Sequence, residues 1–150
     1  MTYRPFRDII TAASTSSSSS IRSLLVNNSG TSIPALMPVR LNSSGQLEII
    51  NVSDDNSVLS IVGITEVAIP DWTQGAVITQ GKLANVSVKF NFGDYIYVSK
   101  TGALTNKYPV IGIDGFISGD FVIRVGVIAK NDVRPLQKDI FITIQIVGQL

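Results

Sequence analysis

Histidine and cysteine are both missing from this 150-residue chain. Without cysteine there is no disulfide framework, no thiolate nucleophile and no cysteine-based metal site. Without histidine the commonest general base, the commonest zinc ligand and every Ser/His or Cys/His nucleophile arrangement are excluded as well. Charge is also scarce. Asp, Glu, Lys and Arg make up 15% of the residues, against about 25% in an average soluble domain. Twelve basic and eleven acidic side chains leave a net charge of +1, so no broad field steers nucleic acid or an acidic substrate. Long apolar runs are lacking too. The stretch from Phe121 to Ala129 is broken by Arg124 and falls far short of the ~20 residues a spanning helix needs. At the N-terminus Arg4, Arg7 and Asp8 precede only the pair Ile9-Ile10, and Thr and Ser follow where a signal peptide would carry its apolar stretch. These absences predict a protein that is not an enzyme, takes no cofactor, has neither nucleic acid nor membrane as a partner, and is made in the cytoplasm.

What is present is apolar. Residues of that kind form 45% of the chain, and a single domain of this size buries roughly 68–70% of the surface its unfolded chain exposes. Residues 1–20 stand apart: they show no strand alternation and end in a run of Ser and Thr from Ser14 to Ser20, which cannot support a packed element alone. They read as an extended arm that orders on docking, and Tyr3, Pro5, Phe6, Ile9 and Ile10 are its candidate apolar anchors. Residues 21–150 read as one β-barrel or sandwich. Short apolar stretches alternate there with Gly, Asn, Asp, Ser and Pro, the all-β pattern. Expected strands are Ser23 to Asn27, Met37 to Leu41, Leu47 to Asn51, Val58 to Val67, Gly75 to Thr79, Lys82 to Val88, Tyr95 to Ser99, Phe121 to Ile128 and Asp139 to Val147. In the last, Ile140, Ile142, Ile144 and Ile146 share one face and Phe141, Thr143, Gln145 and Val147 the other, which places one face in a core and the other partly against a neighbour.

Two hairpins look like copies of one unit. Leu41-Asn42-Ser43-Ser44-Gly45-Gln46-Leu47 matches Val98-Ser99-Lys100-Thr101-Gly102-Ala103-Leu104, with a glycine available for positive φ in each turn. A later strand in each half carries Val-Gly, at Val62-Gly63 and Val125-Gly126. An internal duplication accounts for this; so does simple reuse of strand, glycine turn and strand in a small barrel.

Candidates for chemistry are few. Asp54-Asp55-Asn56 starts like a calcium loop but lacks the glycine and terminal glutamate of an EF-hand, and reads better as an Asx turn. Gly93-Asp94 and Gly119-Asp120 suggest a paired-acid site, yet each sits before a strand, where Gly bends the chain and Asp accepts backbone N–H groups. Gly112-Ile113-Asp114-Gly115 has no Lys-Ser/Thr sequel and is a poor phosphate loop. Asn27, Asn42, Asn51 and Asn85 begin N-x-Ser/Thr sequons, without a signal peptide to make them meaningful. Trp72, after Pro70-Asp71, is the leading aromatic candidate for anchoring a partner; Phe90, Phe92 and Tyr95 are weaker ones, and any of these aromatics can instead plug a barrel end.

The run from Phe92 to Thr105, with Gly93-Asp94-Tyr95-Ile96-Tyr97-Val98-Ser99 and Thr101-Gly102-Ala103-Leu104-Thr105, followed by Arg124-Val125-Gly126-Val127, resembles a β-barrel module of tailed-bacteriophage structural proteins. Ile33-Pro34 to Leu41, followed by Val62-Gly63-Ile64, is similar to the opening of the same module, with Leu36 where that opening carries glycine. Modules of this type occur in capsid cement (decoration) proteins and in head- and tail-fibre components, and the resemblance spans residues 24 to 150. It implies a virion structural protein assembled in the host cytoplasm, partnered by the major capsid protein or another virion protein and by copies of itself as a homo-oligomer. The favoured expectation is a decoration protein that binds and stabilises the capsid lattice. The alternative is a tail, neck or fibre adaptor with a receptor-binding or fibre-docking surface.

Overall fold

The computed structural model describes residues 20–150. Of the expected arm only Ser20 falls within them, already in the first strand; Tyr3, Pro5, Phe6, Ile9 and Ile10 lie outside the described residues. The elements are β1 (Ser20–Asn27), β2 (Pro38–Leu41), β3 (Leu47–Ile49), α1 (Asp55–Leu59), β4 (Ile61–Thr65), β5 (Thr73–Val86), β6 (Tyr95–Val98), β7 (Leu104–Thr105), β8 (Phe121–Lys130) and β9 (Lys138–Gln149). All nine strands join one sheet, in the order β1-β3-β2-β4-β5-β9-β8-β6-β7, and a further β1–β5 pairing bends the first five into a closed barrel. The all-β architecture read from the sequence is therefore the observed one.

Strands β6–β9 repeat the pairing of β2–β5. Leu41 faces Leu47 across the β2–β3 hairpin and Val98 faces Leu104 across β6–β7. Between β2 and β4, Val39 pairs Gly63 and Arg40 pairs Ile61; between β6 and β8, Ile96 pairs Gly126 and Tyr97 pairs Arg124, with a bulge at the same step in both. Ile64–Ile78 and Thr65–Val77 in β4–β5 recur as Val127–Phe141 and Ile128–Ile140 in β8–β9. Turn chemistry follows suit: Gln46 N donates to Asn42 Oδ1 and Ala103 N to Ser99 Oγ, both at 3.1 Å. The two Val-Gly glycines have one cause. A Cβ on Gly63 would stand 2.1 Å from Ile78 O, and on Gly126 2.2 Å from Phe141 O, so only glycine permits either close strand approach.

Among the described residues the second copy does not close. Leu47 of β3 pairs with Asn27 of β1 and shuts the first barrel; β7, its counterpart, pairs among the described residues with β6 alone. Two cores result. Ile33, Val39, Leu47, Ile69 and Val77 fill the closed barrel. The larger core fills the open copy, and combines its own Ile96, Ile123, Ile128, Ile140 and Ile142 with Ile50, Val52, Val58, Ile64 and Ile78 from the first half. The outer face of the first unit thus serves as the packing of the second.

Local departures from the sequence reading have physical reasons. Val58 and Leu59 are helical: Asp54 Oδ1 accepts Asn56 N at 3.0 Å and caps a single turn, and Val58 drops into the larger core. Gly75 to Thr79 and Lys82 to Val86 belong to one strand, because Gly81 takes φ 99° and still pairs with Ser20 and Ile142, so the ladder does not end there; Ser87 and Val88 lie beyond the strand's end. Leu36, standing in place of a glycine, adopts φ 58°, and its turn forms: Leu36 N donates to Thr65 O at 2.9 Å, the counterpart of Gly93 N to Ile128 O at 2.8 Å. In β9 the aliphatic face leaves the core at Ile146, which is exposed.

Candidate interaction surface

Trp72 is held by its backbone and released by its side chain. Thr73 N and Oγ1 both donate to Pro70 O, at 3.2 and 2.6 Å, closing the turn, and Trp72 N donates to Asn27 O at 2.7 Å. Asp71 Oδ1 accepts Gly30 N at 3.1 Å, tying the turn to the neighbouring loop. Trp72 sits at φ 64° with its side chain 75% exposed. It is presented at the surface and does not plug the barrel. A bulky residue in the left-handed region is strained, and here the strain coincides with an aromatic aimed at solvent. Phe90 packs against the larger core instead. Phe92 is exposed, with Lys130 and Lys138 nitrogens 5.7 and 5.9 Å from its ring centroid.

A broader apolar face lies on the second unit. Tyr95 pairs with Val127 and Val127 with Phe141, so the three stand in register across β6, β8 and β9. Phe141 is 51% exposed, and the Arg124 guanidinium covers the Tyr95 ring at 5.0 Å. Between them lies a hollow of about 200 Å³, also bordered by Gly126 and Thr143. In the first unit the counterparts of Val127 and Phe141 are Ile64 and Ile78, and both are fully buried under the second unit. One face of the repeated module is thus covered in one copy and bare in the other. Alternation identified Phe141 as lying opposite the core face, but nothing in the local sequence marked this face as uncovered. A third apolar surface, also absent from the sequence reading, comes from the β7–β8 loop, where Tyr108, Val110, Ile111, Ile113 and Ile117 are all exposed.

The carboxylates considered for acid chemistry are engaged structurally and are not brought together. Asp94 accepts Asn91 N at 2.8 Å and Asn106 Nδ2 at 3.0 Å, and the Asn106 and Asn91 hydrogen bonds hold its pKa below the ordinary carboxylate value. Asp120 lies elsewhere and is 1% exposed. It takes Lys100 Nζ and Ser53 Oγ at 2.6 Å and Ile117 N at 3.0 Å. Burial pushes its pKa up, but these hydrogen bonds and the Lys100 charge together outweigh burial and leave it lowered. Both aspartates accept the amide three residues upstream, as a capped glycine turn requires. The Gly112 turn closes on itself through Gly112 N to Phe116 O at 2.9 Å. Among the described residues no group of three or more acidic side chains is placed to hold a metal ion, and no helix is long and apolar enough to cross a membrane.

Comparison with known proteins found no matching family model, no matching curated protein and no matching solved structure.

Proposed function

We propose that this protein is a non-catalytic structural component of a tailed-bacteriophage particle, a decoration protein that binds the capsid lattice and stabilises it. The observation that carries the reading is the bare face at Tyr95, Val127 and Phe141, whose counterpart in the first unit is buried by protein. A surface of that kind is built for contact. Two other surfaces add to it: Trp72 is presented on a hydrogen-bonded turn, and the apolar β7–β8 loop supplies a separate patch. Many weak contacts repeated over a symmetric lattice sum to firm attachment, and tethering raises the effective concentration of each. The major capsid protein is the proposed partner, with further copies of this chain beside it in a homo-oligomer, and the virion is the proposed location. Tyr3, Pro5, Phe6, Ile9 and Ile10 would add anchors beyond the barrel. Co-sedimentation with empty and expanded shells tests this. Binding of the intact protein that weakens on Phe141→Ser or on replacement of the five arm anchors by Ser supports it; undiminished binding by both variants refutes it.

The exposed Trp72 indole favours a second reading, a tail, neck or fibre adaptor that engages a receptor or fibre through an aromatic. Copy number in purified particles separates the two. Hundreds of copies fit a shell protein, and a handful fit an adaptor.

A further inference from the structure

Two features of the surface fit each other. Trp72 stands on its hydrogen-bonded turn with its side chain 75% exposed. On the second unit, Tyr95, Arg124, Gly126, Phe141 and Thr143 border the hollow of about 200 Å³. Size agrees: an apolar cavity of about 150 Å³ accepts benzene, so this hollow suits the larger, bicyclic indole. Chemistry agrees as well. Tyr95 and Phe141 offer ring surface, and the Arg124 guanidinium, 5.0 Å from the Tyr95 centroid, is a cation that a second ring can meet; indole is the ring that cations favour most. Thr143 brings a hydroxyl to the border, an acceptor for the indole N–H. Within one chain the two features stand apart. Trp72 immediately precedes Thr73, the first residue of β5, whereas Phe141 pairs with Lys82, nine residues further along that strand. At about 3.3 Å per residue, roughly 30 Å of strand separates them, far beyond the reach of an indole.

We propose that Trp72 of one copy seats in the hollow of a second copy, and that the chain self-associates through this contact. The proposal rests on, and deepens, the homo-oligomeric part of the proposed function, and it needs no capsid. A second copy is favoured over an unrelated partner because indole and hollow both lie on this chain. The equivalent face of the first unit, at Ile64 and Ile78, is moreover already covered by the chain's own apolar side chains. A net charge of +1 leaves little repulsion between copies. One anchored aromatic falls short of the roughly 1,000 Å² that a specific interface buries, so a single contact is weak. A two-fold pair makes the contact twice, and copies tethered side by side on a lattice gain effective concentration. The contact is thus weak in dilute solution and firm on a repeating surface.

Trp72 is the chain's one tryptophan, so its fluorescence reports on this contact alone. Raising the concentration of the full natural chain from micromolar to millimolar should move the emission to shorter wavelength as the indole leaves water, in step with association followed by analytical ultracentrifugation. Thr143→Tyr fills the hollow, leaves Trp72 in place and should abolish the shift. Trp72→Ala should weaken association by about thirtyfold or more, the loss expected on removing a hot-spot anchor. Both positions are exposed, and thermal melts check that each variant folds. Mixing the two variants is the sharpest test, because one supplies the indole and the other the hollow: the mixture should associate more than either variant alone at the same total concentration. A natural chain that stays monomeric throughout, association undiminished in Trp72→Ala, or a mixture no more associated than its components would overturn the proposal. None of these measurements contains a capsid, so failure here is separable from failure of the decoration reading.

Discussion

Lys100→Met should destabilise the protein by leaving the buried Asp120 carboxylate without its cation. Asp120 is almost wholly buried and receives one cation and two neutral donors, while Lys100 is 27% exposed on its own side chain. Breaking a fully buried ion pair costs about 3–5 kcal/mol. Here solvent reaches the lysine, and Ser53 and Ile117 still donate to the carboxylate, which lowers the expected cost to about 2–3 kcal/mol. For a chain of this length that corresponds to a fall in Tm of roughly 4–12 °C. Methionine preserves most of the stem, so lost packing against Gly115 contributes little. The pH dependence fixes the cause. Asp120 has a lowered pKa in the folded state, so its stabilisation is complete above the unfolded carboxylate value of about 3.9 and is lost as pH falls through the lower folded value. The variant loses the cation, so its difference from the natural protein should be largest near neutrality and shrink once Asp120 is protonated. Urea unfolding from pH 7 down to pH 3, with Asp120→Asn and the double variant closing a cycle, measures both. A coupling energy below about 0.5 kcal/mol, or a cost that stays flat across that range, would refute the reasoning.

Gly63→Ala and Gly126→Ala should each destabilise by at least about 2–3 kcal/mol, and by similar amounts, because the added Cβ meets a facing carbonyl oxygen at nearly the same distance in both; chemical denaturation checks this, and a benign Gly126→Ala would break the equivalence. Trp72→Ala should change folding stability by less than about 0.5 kcal/mol, as expected for an exposed side chain, while Trp72→Gly should stabilise slightly by relieving the positive φ; thermal melts distinguish them. Phe141→Ser should leave the fold intact and reduce self-association or particle binding, measured by analytical ultracentrifugation and co-sedimentation, whereas Ile78→Ser, its counterpart, should unfold the chain because that side chain is buried.

The last contrast also explains what the sequence could and could not reveal. Hairpin turns were readable because Gly45 and Gly102 each follow a polar turn residue and supply positive φ locally. The repeat was readable for the same reason, through Gly63 and Gly126, where a close strand approach excludes every other residue. Strand continuity through Gly81 was not, since a glycine that ends a strand and one that stays paired within it at positive φ look alike in one dimension. Nor was the burial of Asp120, which depends on Ser53 and Lys100 arriving from distant parts of the chain. Alternation places Ile64 and Ile78, or Val127 and Phe141, on a common face. Whether that face is covered is a tertiary fact, and the two copies of one pattern meet opposite fates.

That asymmetry makes the second unit dependent on the first. Its core is open on one side and is completed by Ile50, Val52, Val58, Ile64 and Ile78 from the first half; without them Ile128, Ile140 and Ile142 would line a water-filled trough, and the loss of several buried aliphatic side chains at about 1.5–3 kcal/mol each exceeds any plausible margin for a half-domain. The first unit encloses a smaller core of its own but would expose Ile64 and Ile78. The two halves should therefore open together. Native-state hydrogen exchange tests this directly: the slowest amides of β4 and β8 should converge on one opening free energy, equal to that from equilibrium unfolding. If β8 instead exchanges through a markedly cheaper opening while β4 stays closed, the shared core does not couple the repeats, and the buried face at Ile64 and Ile78 is an incidental contact between two autonomous units.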